Sequence, residues 1–175
     1  MVSQPTADDR VAPIPFPRLQ RSRASSSIAP SHPVDLPIPP AESQPRPEDV
    51  RFLEDQLYEY NVEKTGFDDG QWLAIFVRDG DGAIAAGLHG WTWGGICKVL
   101  TLWVRTDLRH HGYGSRLLAA AEGEAKARGC TWLTLDTYSF QAPHFYQEHG
   151  YVVIDAIEDA LPPHRLYRLK KRLTP

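Results

Sequence analysis

Two hydrophobic periods succeed one another along this chain, and their order predicts an α+β domain. After Pro47 an acidic first turn opens at Glu48, and Val50, Leu53, Leu57 and Tyr60 recur at helical spacing until Gly66. A first helix or helix pair is expected there. Strand-like runs at Trp72 to Arg78 and Ile84 to Leu88 flank Asp79-Gly80-Asp81-Gly82, which is hairpin punctuation. Gly94-Gly95 then turns into a third strand, Ile96 to Val104. Leu117, Leu118, Ala121 and Ala125 mark the packing face of a helix from Tyr113 to Arg128, which Gly129 should stop. Thr131 to Thr137 is expected to return parallel to the third strand, because a strand, a crossover helix and a strand form a right-handed βαβ unit. A short helix, Ala142 to His149, and strands near Tyr151 to Ile157 and Leu166 to Leu173 complete a mixed sheet.

The connection between the third strand and the long helix carries the most specific chemistry. Arg109-His110-His111-Gly112-Tyr113-Gly114 stands at the helix start, where unpaired backbone N–H groups and the positive end of the helix dipole favour an anion. Glycines let those amides approach a pyrophosphate, and Arg109 adds positive charge. Two other glycine loops fail on inspection. A dinucleotide fingerprint needs a third Gly where Leu117 stands, and a P-loop needs Gly-Lys-Ser/Thr, which is absent.

Leu102-Trp103-Val104, four further residues, Arg-x-x-Gly-x-Gly and an Ala-rich helix together resemble motif A of the GCN5-related N-acetyltransferases (GNAT). A second stretch, Ala142-x-x-x-Tyr146-x-x-x-Gly150-Tyr151, is similar to that family's Ala-x-x-x-Tyr-x-x-x-Gly-aromatic signature. The resemblance implies a GNAT-like sheet, mostly antiparallel, with a central parallel strand pair and flanking helices, from about Glu48 to Leu173. It further implies acetyl-CoA as cosubstrate, held by Arg109, His110, His111, Gly112, Tyr113, Gly114 and Ser115. The pantetheine arm would pair with the backbone of Leu102, Trp103 and Val104, where the two parallel strands part at a bulge. Ser139 occupies the place of a CoA-contacting Asn in many relatives, which leaves that contact open, with Gln141 as its substitute.

Acetyl transfer to an amine needs a neutral nucleophile, a donor for the developing oxyanion and a proton for the departing thiolate. The resemblance assigns the proton to Tyr146 and the oxyanion to a backbone N–H near Trp103 or Val104. The base is less defined, because Ile96 to Val104 carries no acidic residue and offers Lys98 and Thr101. Asp136 could hold the substrate ammonium or accept its proton through water; capping the following turn is an equal alternative. Glu54, Glu59, Glu63, Asp68 and Asp69, together with His89 and His164, read first as solvated surface groups.

Composition narrows the rest. A chain of 175 residues can bury one ordinary core. Eleven of the fifteen prolines precede Glu48, mixed with Ser25-Ser26-Ser27, so residues 1 to 47 are expected to be a disordered tail and 48 to 175 the catalytic domain. Deleting the tail should leave the melting temperature nearly unchanged; a large drop in a thermal melt would show it to be packed. The tail lacks a secretory apolar run, and no stretch of 18 apolar residues exists, so a cytoplasmic protein without membrane contact is expected.

The formal charge is −3, with a net +1 in the tail, so the remainder stands near −4 and lacks a nucleic-acid footprint. Arg165, Arg168, Lys170, Lys171 and Arg172 are the exception, and their alternation reads as the solvated face of an edge strand. Cys97 and Cys130 lack metal-type spacing and read as small buried hydrophobes, so no metal is expected. The leading function is acetyl transfer to a primary amine of a small molecule, for which the acidic balance favours a cation. A protein or peptide acceptor and a non-catalytic acyl-CoA-binding module are the alternatives. Exposed apolar edge strands could pair with a second copy, which keeps a homodimer open.

Overall fold

The computed structural model describes residues 37–173. The expected disorder of the tail therefore falls mostly outside the described residues. Two compact units divide at Lys64 and Thr65. In the first, residues 37–46 are exposed without helix or strand, and α1 runs Pro47–Thr65 as one helix. Its entry is fixed by Arg46, whose guanidinium donates two hydrogen bonds to the Asp49 carboxylate at 2.8 and 2.9 Å. Leu53, Leu57 and Tyr60 are exposed, however, and Tyr58 on another face is the buried residue. Helical spacing identifies a helix but does not decide which row turns inward.

The second unit is a six-stranded sheet of β1 (Gln71–Arg78), β2 (Ile84–Trp93), β3 (Ile96–Val104), β4 (Trp132–Tyr138), β5 (Val152–Leu161) and β6 (His164–Arg172). The order is β1-β2-β3-β4-β6-β5, with β3 and β4 parallel and every other neighbouring pair antiparallel. Between β3 and β4 lie a short 3₁₀ turn, Thr106–Leu108, and α2, Tyr113–Ala127; α3, Pro143–Glu148, follows β4. This is the anticipated mixed sheet. Leu117, Leu118, Ala121 and Ala125 are buried on α2 with Leu73, Leu88, Val99, Leu133, Leu135 and Leu169 of the strands. α2 ends where the amide of Cys130 donates to the carbonyl of Ala125 at 2.9 Å across Gly129, whose φ of 78° is the left-handed conformation that glycine adopts without strain.

The β1–β2 turn is organised by Asp79, whose Oδ1 accepts from the amides of Asp81 and Ala83 at 3.2 and 3.0 Å. Its Oδ2 accepts from Arg105 at 2.6 Å, which ties the hairpin to the segment leaving β3. The Arg105 bond, more than any other influence, lowers the Asp79 pKa below the ordinary carboxylate range.

β2 continues five residues beyond the expected end at Leu88, through Gly90, and this glycine has a mechanical role. His89 pairs with Thr101 and Gly90 with Val99, so Leu100 is an extra residue that bulges β3. A Cβ at Gly90 would lie 2.1 Å from the Lys98 carbonyl oxygen. Only glycine admits the bulged strand this closely. Gly90→Ala should therefore cost about 1–3 kcal/mol or more as β3 is forced away. An unchanged urea midpoint would show that β3 shifts freely.

One strand assignment is corrected. β6 is not an edge: it lies between β4 and β5, and the edge is β5. The alternation itself is present, with Leu169 buried between Arg168 and Lys170.

Candidate active site

The parallel strands pair over only three positions, Ile96 with Trp132, Cys97 with Leu133 and Lys98 with Thr134. Past Lys98 the bulge turns β3 away, so its edge from Val99 to Val104 loses β4 as a partner. The gap widens into a cleft of about 1120 Å³. Leu102, Trp103, Val104, Arg109, His110, Gly112, Tyr113, Gly114 and Ser115 line one side, and Asp136, Phe140, Gln141, His144 and Tyr146 the other. Eleven of the anticipated site residues thus converge on one space.

The glycine-rich loop closes one end of the cleft. Gly112 is the N-cap of α2 with φ 76°, and His110 is also left-handed at φ 63°. The first bond closing the helix runs from the Arg116 amide to the Gly112 carbonyl at 3.1 Å. No side chain caps the preceding amides, and the first turn carries no acidic residue. Those N–H groups and the dipole fit a phosphate-bearing ligand. Arg109 is held by its Nε donating to the Val104 carbonyl at 3.2 Å. Gly114 serves packing, since a Cβ there would lie 3.3 Å from the Phe145 ring, and its absence lets α3 approach the head of α2.

α3 carries Tyr146 to the opposite wall, starting at Pro143, whose missing N–H costs nothing at a helix start. The Tyr146 ring is buried edge-on to Phe145 and Tyr151, with centroids 5.1 and 5.9 Å away. Burial alone pushes the phenol above its ordinary pKa, so it keeps its proton at neutral pH. Tyr151 differs: its hydroxyl donates to Glu122 at 3.0 Å, and Lys171 holds the same carboxylate at 2.7 Å. Tyr151 is a structural phenol, whereas the Tyr146 hydroxyl has no hydrogen-bond partner among the described residues.

Asp136 lies beside the cleft in an ion cluster. Lys98 Nζ donates to it at 2.6 Å and Arg168 Nε at 3.1 Å. Burial opposes its ionisation, but the two cations overcome that penalty and hold the carboxyl below the ordinary range. Such a group is a weak proton acceptor, and its charge is already balanced by its two cationic partners. Lys98, the sole charged residue of β3, and Arg168 of β6 meet Asp136 only through the pairing of their strands with β4.

Two expected contacts lie elsewhere. His111 is absent from the cleft lining, its ring nitrogen 2.8 Å from the Arg109 carbonyl. Ser139 is also outside the lining; its Oγ accepts from the Arg165 amide at 3.3 Å and lies 3.4 Å from His164 Nδ1. Gln141 does face the cleft, though its carbonyl oxygen accepts from the Tyr138 amide at 2.8 Å and the Thr137 hydroxyl at 3.1 Å. Cys97 and Cys130 are buried thiols, Cys97 pushed up to about 12 chiefly by burial. Among the described residues, no cluster of His, Cys, Asp and Glu could hold a metal, and no helix is long and apolar enough to cross a membrane.

Known proteins resemble this chain in sequence and fold. The acetyltransferase Atu2258 of Agrobacterium fabrum is 32% identical over 122 residues, covering 70% of this chain and 89% of that protein. Blasticidin-S acetyltransferase of Streptomyces morookaense is 41% identical over 96 residues, covering 53% and 68%. The crystal structure of an acetyltransferase from Bacillus cereus superposes with a TM-score of 0.65 at 31% identity, covering 77% of this chain and 98% of that one. The model of the acetyltransferase (GNAT) family matches residues 37–151, well over half of the chain, and with the split parallel strands and the uncapped helix head it establishes that this protein is an acetyltransferase of the GNAT family.

Proposed function

We propose that this protein transfers the acetyl group of acetyl-CoA to a primary amine of a small molecule, by direct attack within a ternary complex. The observation that carries this reading is the opening of the β3–β4 gap onto an uncapped helix head, with a protonated phenol on the facing wall. The amides of the Gly112–Ser115 turn, with Arg109, His110 and Tyr113 around them, hold the pyrophosphate. The backbone of Leu102 and Val104 pairs with the pantetheine arm, and an amide near Trp103 faces the thioester oxygen. As the amine nitrogen bonds to the carbonyl carbon and the carbon–sulfur bond breaks, Tyr146 gives its proton to the thiolate.

Asp136 stands beside the path of the acceptor, its charge already balanced by Lys98 and Arg168. Its two cationic partners make it a poor base, so the amine's proton passes to solvent. The acidic balance of the chain supports a cationic acceptor, and the name of the Streptomyces relative supports a small molecule. A cytoplasmic location, a domain spanning 48 to 175 behind the tail, and the absence of metal and nucleic acid belong to the same reading. β5, exposed along its whole length, is the surface for a second copy if a homodimer forms.

Acetyl-CoA and CoA should each raise the melting temperature of the full chain, because a ligand selective for the folded state stabilises it by mass action, whereas NADH should not. Thiol release with an added amine then tests transfer. No shift with either CoA species would remove the cofactor assignment.

A further inference from the structure

Resting on that reading of the cleft, we infer that the acceptor carries a planar aromatic or heteroaromatic ring, which stacks on Phe140. Phe140 lines the cleft and leaves 53% of its surface open there, so a ligand in the cleft can reach its ring. The ring is not loose. It stacks on Tyr138 with centroids 5.3 Å apart and planes 15° from parallel, and His164 meets it edge-on at 4.8 Å. The connecting backbone is pinned as well, with the Ser139 amide donating to the Arg165 carbonyl and the Gln141 amide to the Tyr138 carbonyl, each at 2.9 Å. A rigid, half-exposed aromatic face offers stacking area at little entropic cost.

The sheet's two faces decide which reactant meets this shelf. On β4, Leu133, Leu135 and Thr137 are buried on the side that packs α2, so Asp136 and Tyr138 stand on the opposite side. Their cross-strand partners are Arg168 and Leu166, and His164 follows on the same side of β6 at a spacing of two. The shelf, Asp136 and Arg168 therefore share the face opposite the helix whose head receives the phosphates. A reactant approaching from that face is the amine, and its ring lies on Phe140.

The test compares binding of 2-phenylethylamine and tryptamine with n-hexylamine and n-octylamine, all singly charged, to the full chain saturated with CoA, by calorimetry. The arylamines should bind about three- to tenfold more tightly, and Phe140→Ala and Phe140→Leu should each remove that advantage while leaving CoA affinity and the alkylamines unchanged. Equal binding of the two classes, an advantage that survives Phe140→Ala, or no arylamine binding at millimolar concentration would overturn the shelf. Acetylation of the same amines is scored separately. Ring-selective binding without turnover upholds the shelf and rejects the transfer reading, whereas turnover without ring selectivity does the reverse.

Discussion

Gly112→Val is expected to abolish acetyl-CoA binding while leaving the protein folded. Gly112 holds φ at 76°, and a β-branched residue in the left-handed region costs at least about 1–2 kcal/mol. A Cβ at this position meets no protein atom within 4 Å, so no steric clash adds to the strain. The variant is expected to obstruct the cleft that Gly112 lines at the helix head, where the phosphates are assigned. The variant should melt somewhat lower than the parent and show no upward shift with acetyl-CoA. Gly114→Val should lose binding too, but less cleanly, because its side chain meets the Phe145 ring at 3.3 Å and disturbs the α2–α3 contact. If Gly112→Val were stabilised by acetyl-CoA as strongly as the parent, the anion-loop assignment would be wrong.

Tyr146→Phe should lower turnover by roughly ten- to a thousandfold, at or below the usual range of general acid contributions, with acetyl-CoA affinity unchanged. The substitution is clean because the hydroxyl has no partner among the described residues, so its removal orphans nothing. Stability should stay within a few tenths of a kcal/mol of the parent. The pH dependence has a definite sign. Burial disfavours the phenolate and raises the pKa above 10.0, so the proton-donating form is fully present at neutral pH. The parent's advantage over the variant should persist through mildly alkaline pH and fade only as pH rises above the ordinary phenol value. Equal turnover of the two proteins at all pH values would remove Tyr146 from the mechanism.

The sheet's parallel pair, the loop and α2 were legible because each leaves a local signature. Leu117, Leu118, Ala121 and Ala125 lie on one helical face whatever the helix packs against, and Gly129 ends it by its own backbone freedom. The loop was readable for the same reason, since Gly112 and Gly114 stand at positions where helix geometry alone leaves amides unpaired. Tyr146 was reached through resemblance and not through periodicity, which would have left it a core tyrosine like Tyr151.

Long-range pairing decided the remainder. Asp136 has Lys98 and Arg168 as partners, 38 and 32 residues away, and they convert a candidate base into an ion-paired group. β6 reads as an edge in the sequence because strand order is a property of the assembled sheet, and alternation looks the same on an inner strand with one open face. Gly90 lies beyond the expected strand end at Leu88, yet it belongs to β2 and admits the bulge of β3 that splits the parallel strands. Ser139 carries a hydroxyl at a family contact position, yet the β6 backbone claims it. The amino-acid order by itself determined the elements, the glycine loop at the head of α2 and the family, because spacing and backbone freedom act over a few residues. Which side chains face the cleft, which are neutralised and where the strands part were settled only by tertiary structure, since each depends on a neighbour brought from far along the chain.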